Sequence, residues 1–164
     1  MPSPPELEIR SAGAEDARLL LEMIREFAEH VRMSNKVIAT EERLRKSLFG
    51  SQQYAEVLLA DWSSEPVGFA VFYHTYSTFR GEPGMFLEDL FVRAVARRRG
   101  IGRGLLVEVA RIAKKRGCGR LEWSTLDWNE PAIQFYRHIG AEPHEGSTIF
   151  GLVGDALNRL AEQG

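Results

Sequence analysis

The run GMFLEDLFVRAVARRRGIGRG, residues 84–104, leaves few folds open to this chain. Met85, Phe86, Leu87, Leu90, Phe91 and Val92 make an apolar stretch of strand length, as a strand covered on both faces requires. Glu88 and Asp89 interrupt it, and a carboxylate there is costly without a partner or a task. Arg93, Arg97, Arg98, Arg99 and Arg103 follow, the last of them interleaved with Gly100, Gly102 and Gly104. Ile101, Leu105, Val109 and Ile112 then recur at helical spacing. A buried strand, a basic glycine-containing loop and a helix start make an anion site. Glycines let backbone N–H groups approach phosphate oxygens, while the helix dipole and arginines add positive potential. The spacing is neither the six-residue glycine pattern of dinucleotide folds nor a P-loop. A solvated basic turn or a nucleic-acid patch is the competing reading, and the glycine spacing favours phosphate.

Around this centre the chain alternates strands and helices. Residues 1–6 carry three prolines and read as a frayed tail. Residues 7–10 are a first strand, and Gly13 opens a helix to about Val31 with Asp16 serving its first turn. Leu20, Ile24, Phe27 and Val31 form its buried stripe. Thr40 caps a second helix to Leu48. Residues 54–61 and 66–76 are strands of a hairpin turning at Trp62, Ser63 and Ser64. The helix after the arginines ends near Arg116, stopped by Gly117. A fifth strand spans residues 121–126, a helix runs from the turn at 127–129 to Ile139, a sixth strand spans 148–153, and a helix closes the chain at 155–162. The layout predicts a single α/β domain over residues 1–164, with a mixed sheet of six or seven strands and helices on both faces.

Composition narrows the function. A net charge of −2 does not suit a polyanion binder, and no aromatics interleave with the arginines as single-strand nucleic-acid binding requires. Neither a membrane span nor a secretion signal is legible, so the cytoplasm is the expected compartment. One cysteine, Cys118, rules out a disulfide framework, and the four histidines show no metal-ligand spacing. By position alone Tyr136 reads as a core aromatic, and Glu88 reads equally as an ion-pair partner or a working acid.

WNEPAIQFY (residues 128–136), FLEDLFV (86–92) and RRRGIGRG (97–104) together resemble the spermidine/spermine branch of the GCN5-related N-acetyltransferases. LDWN, RGC at 116–118 and YSTFRG at 76–81 are similar to the thialysine acetyltransferase relatives. The resemblance implies that fold, acetyl-CoA as acetyl donor with coenzyme A as product, and acetylation of a thialysine-, diamine- or polyamine-type primary amine. It implies a cofactor site built from the backbone of Leu90, Phe91 and Val92, from Arg97, Arg98, Arg99, Gly100, Ile101, Gly102 and Arg103, and from Asn129, Glu130, Pro131 and Ala132. Tyr136 matches the tyrosine that protonates the departing thiolate, and Glu88 the acid that takes the amine's proton.

Those roles suit the chemistry. An alkyl amine with a pKa of about 10.4 is protonated at neutral pH, so a carboxylate that accepts its proton is needed before attack. The resemblance places His30, Val31, Glu88, Glu122, Trp123, Ser124 and Glu145 on the substrate side. Val31 stands where the family tends to carry an acid, which weakens the expectation for long polyamines. A homodimer is expected from the relatives and from the apolar C-terminal segment, residues 149–160. The alternatives are acetylation of protein or peptide amines, and a non-catalytic acyl-CoA-binding module.

Overall fold

The computed structural model describes residues 6–164. They form two compact units, the first ending at Ser124 and the second spanning Thr125–Gly164. The first unit is built on one sheet of five strands in sequence order: β1 (Leu7–Ser11), β2 (Glu56–Trp62), β3 (Glu65–Ser77), β4 (Glu82–Val92) and β5 (Leu121–Trp123). The first three pairings are antiparallel and the last is parallel. Short loops force the β2–β3 and β3–β4 pairs to be antiparallel, and the helix between β4 and β5 permits the parallel one.

Two helices cover one face. Leu20 and Met23 of α1 (Ala17–His30) pack with Val57, Leu59, Phe69, Val71 and Phe91, and α2 (Glu41–Phe49) adds Leu44 and Leu48 at the margin. Thr40 caps α2 as expected, its Oγ1 accepting from the Arg43 N–H at 3.2 Å. At the start of α1 the Gly13 N–H donates to Asp16 Oδ2 at 2.9 Å, and Arg10 clamps Asp16 and Asp61 from β1. The other face is covered by α3 (Ile101–Lys115), whose Leu105 approaches Gly68, one residue out of phase with Phe69. Gly117, with φ of 73°, ends α3.

The second unit holds α4 (Glu130–His138) and α5 (Gly154–Ala161). The sheet of six or seven strands is corrected to five among the described residues. Residues 148–153 are largely apolar but form no strand, and Ile149, Phe150 and Val153 stand 96%, 91% and 83% exposed. A strand needs an edge to satisfy its N–H and C=O groups, and apolar composition alone does not supply one. Gly146 and Gly154, both with positive φ, also break the extended run at either end. β5 stops at Trp123 rather than Leu126, and further on the Asn129 N–H turns back onto Leu126 O. Among the described residues no helix is long and apolar enough to cross a membrane.

Candidate active site

The pairing of β5 with β4 lasts three residues and stops at Trp123 against Leu87, while β4 runs on to Val92. The Arg93 N–H points back across the sheet to Val67 O. By alternation the backbone groups of Leu90 and Val92 face the opposite edge, where β5 has already ended. Beyond the end of β5 that edge leaves backbone groups of Leu90 and Val92 without a strand partner, and Val92 O accepts from Arg97 Nε at 2.9 Å.

The register breaks one step before this edge. Val71 pairs with Asp89 and Phe72 with Leu87, so Glu88 is an extra residue on β4 with no partner on β3. Such a bulge re-aims side chains. Asp89 and Phe91 share the α1 face with Val71 and Phe69, and the Glu88 carboxylate reaches the same face, where the Tyr73 hydroxyl donates to Oε2 at 3.0 Å. Two successive carboxylates therefore stand on one side of the sheet. Burial, and then the Glu88 charge, pushes the Asp89 carboxyl up to about 6. Sequence reasoning gave Tyr73 no role, and marked Asp89 only as a carboxylate needing a partner or a task. Tyr73 lies on another strand, and only the bulge puts Asp89 on the same face as Glu88.

Beyond Val92 the chain makes a short turn, Ala94–Ala96, and enters α3 through two left-handed residues, Arg98 (φ 63°) and Gly100 (φ 76°). No side chain caps α3, so the N–H groups of its first turn are left for another acceptor. The five arginines divide by task. Arg93 makes a bidentate pair with Glu26 of α1 and donates to Pro66 O, which ties α1 to the sheet. Arg97 donates to Val92 O at 2.9 Å and lies over Phe91, and Arg99 lies over the Trp62 ring. Arg98 and Arg103 have no hydrogen bond or ion pair among the described residues. A left-handed loop, an uncapped helix start and uncommitted guanidinium groups fit a pyrophosphate, so this chain's residues suit a coenzyme A donor. A surface cavity of about 450 Å³ also borders Gly100 and Arg103, but it opens toward Leu7 and Ile9 on β1, three strands away from Glu88.

The substrate-side residues divide between the two units. His30 ends α1, and burial together with the Arg97 charge lowers its pKa, which places it beside the basic loop. Val31 follows it, half-buried, at the helix end. Glu122 lies on β5 beside Arg120 at 2.8 Å, followed by Trp123 and Ser124 at the point where the strand ends. In the second unit Asn129, Glu130, Pro131 and Ala132 form the start of α4, with the Ile133 N–H donating to Asn129 O. Tyr136 lies two turns along, its ring 5.5 Å from Phe135, and burial raises its pKa. Glu145 is exposed in the loop after α4.

Comparison with known proteins identifies the family. The model of the acetyltransferase (GNAT) family matches residues 21–141. The thialysine N-epsilon-acetyltransferase of Bos taurus is 35% identical, with 93% of this chain and 96% of that protein covered. The L-ornithine N5-acetyltransferase of Arabidopsis thaliana is 29% identical over 93% of this chain and 86% of that protein. Among solved structures, an integron cassette protein from V. cholerae superposes with a TM-score of 0.80 at 28% identity, covering 96% of this chain and 98% of the other. A soil metagenomic aminoglycoside acetyltransferase, solved with sisomicin, has a TM-score of 0.75 at 23% identity over 91% of this chain and 97% of its own, a likeness of fold. Acetyltransferases of this family take their acetyl group from acetyl-CoA. The chain is an acyltransferase that belongs to the acetyltransferase (GNAT) family.

Proposed function

We propose that residues 1–164 act as one catalytic domain that transfers an acetyl group from acetyl-CoA to the primary amine of a small molecule of thialysine, diamine or basic amino-acid type. The observation that carries this reading is the junction on β4. There the β5 pairing ends, Glu88 bulges out, and the strand continues as an open edge into a basic left-handed loop. Acetyl-CoA supplies the activated thioester. Arg98, Arg103 and the first N–H groups of α3 hold its phosphates, and the edge of Leu90 and Val92 aligns its amide arm. Asn129, Glu130, Pro131 and Ala132 line that arm by family resemblance.

Glu88 accepts a proton from the substrate ammonium. The freed nitrogen bonds to the acetyl carbon as the C–S bond breaks, Tyr136 gives a proton to the sulfur, and the acylated nitrogen sheds its second proton, which restores the phenol. Burial keeps the Tyr136 phenol protonated, as a donor must be. No residue is assigned as an acyl carrier, so transfer is direct in a ternary complex.

The relatives named for thialysine and ornithine support a short aliphatic amine. Val31 lacks the charge that would hold a distal ammonium, and Glu122 is already engaged by Arg120. Short amines should therefore be preferred over spermine. A panel of thialysine, ornithine, lysine, putrescine, spermidine and spermine, assayed with acetyl-CoA by thiol release, tests this directly. Spermine as the fastest substrate would sink the pocket argument, and no turnover with any amine would sink the small-molecule reading. We further propose a homodimer in which a second copy covers the exposed Ile149, Phe150 and Val153, in an intracellular, cytoplasmic enzyme. Light scattering at micromolar protein tests the dimer, and the monomer mass of 18.5 kDa would refute it.

A further inference from the structure

We propose that Tyr73 is a positioning residue that orients the Glu88 carboxylate for proton transfer, a role that rests on reading Glu88 as the base. The contact is direct, Tyr73 Oη donating to Glu88 Oε2 at 3.0 Å across the two strands. As the extra residue of the bulge, Glu88 has no cross-strand neighbour to fix its side chain. Tyr73 supplies that neighbour from a nearby position on β3. Its ring is itself held, stacked on Phe86 at 5.5 Å with an interplanar angle of 29°. With Oε2 tied to the phenol, Oε1 is left to face an incoming ammonium.

The direction of the hydrogen bond is also fixed. Burial, followed by the bond to Glu88 and the charges of Glu88 and Asp89, raises the Tyr73 phenol above its ordinary value. The phenol stays a donor at working pH, and the carboxylate is the acceptor. Tyr73 cannot take the amine's proton itself. Its donated bond also counters the repulsion between the Glu88 and Asp89 charges, which the bulge brings to one face. Charged groups on the neighbouring elements have other engagements: Glu122 with Arg120 on β5, and Glu26 of α1 with Arg93. His30 at the end of α1 is set beside Arg97.

The test is a double-mutant cycle of Tyr73→Phe and Glu88→Gln, run across pH with acetyl-CoA and the fastest amine of the panel above. Tyr73→Phe keeps the ring and its stack on Phe86, so the fold is preserved. The expected result is a loss in kcat of roughly 3- to 10-fold at neutral pH, the size of one hydrogen bond. The KM for acetyl-CoA should stay unchanged, and the acid limb of the pH profile should move to higher pH. In the Glu88→Gln background the same change should cost less than about 2-fold, since the two residues act as one unit. Equal losses in both backgrounds would make Tyr73 a packing residue and overturn the proposal, as would no loss in the wild-type background. Full activity of Glu88→Gln alone would overturn the base assignment itself, a separate failure that takes the positioning role with it.

Discussion

Replacing Gly102 by alanine separates the stability of α3 from its binding role. A Cβ at Gly102 would meet only Val92 Cγ2 at 3.6 Å, an ordinary contact, so the folded protein accommodates it. Alanine is favoured over glycine inside a helix by about 0.5–1 kcal/mol. At roughly 2–4 °C per kcal/mol for a chain of this size, the variant should melt about 1–4 °C higher without cofactor. The same Cβ projects toward Val92 from the first turn of α3. In the proposed binding mode a methyl group there crowds a phosphate oxygen held by the α3 N–H groups. Losing one charge-assisted hydrogen bond costs about 1.5–3 kcal/mol, a weakening of acetyl-CoA binding by roughly 10- to 150-fold. Gly104→Ala is the control, because its Cβ would press on Leu7 Cδ2 at 3.0 Å and Ile9 Cδ1 at 3.4 Å, away from Val92. That variant should keep its affinity. Thermal unfolding and calorimetric titration with acetyl-CoA read both effects. A Gly102→Ala protein with raised melting and unchanged affinity would remove the loop from phosphate binding, and lowered melting would refute the steric argument.

Asp89→Asn should stabilise the protein at neutral pH. The native carboxyl titrates at about 6 and an unfolded one near 3.9, so the folded state holds the extra proton and stability falls as pH rises between those values. Urea unfolding should show a gain on the order of 2–3 kcal/mol at pH 7.5 that fades by about pH 4; an equal gain at both would mean the charge is not the cause. At the β2–β3 turn, Ser63 and Ser64 both have positive φ, 51° and 67°, so Ser64→Gly removes a strained non-glycine residue. A gain of about 0.5–1 kcal/mol in chemical denaturation is expected, after allowing for glycine's greater unfolded freedom, and destabilisation would contradict the turn geometry. Tyr136→Phe should keep acetyl-CoA affinity while turnover falls by about 10²–10⁴-fold. Retained turnover in single-turnover assays would leave Tyr136 a packing residue.

The helices were legible because their signals are local. The stripe of Leu20, Ile24 and Phe27, the Thr40 cap and the Gly117 stop each depend on residues within a turn or two of one another. The hairpin at Ser63 and Ser64 and the strand–loop–helix order around Gly100 were readable for the same reason. The motif order also pointed to the family, since strand, basic loop and helix start follow one another without interruption. What the linear chain could not specify was partner choice. Residues 148–153 have strand composition but form no strand, and Arg93, grouped by sequence with the loop arginines, is taken by Glu26 from 67 positions away. The bulge at Glu88 exists only because β3 offers one residue against two, a mismatch set when the two strands fix their register. That register puts Tyr73 on Glu88 and turns two neighbouring carboxylates to one face. Periodicity and caps are properties of neighbours along the chain, whereas register and ion-pair partners are settled only when distant segments compete for the same backbone groups and charges.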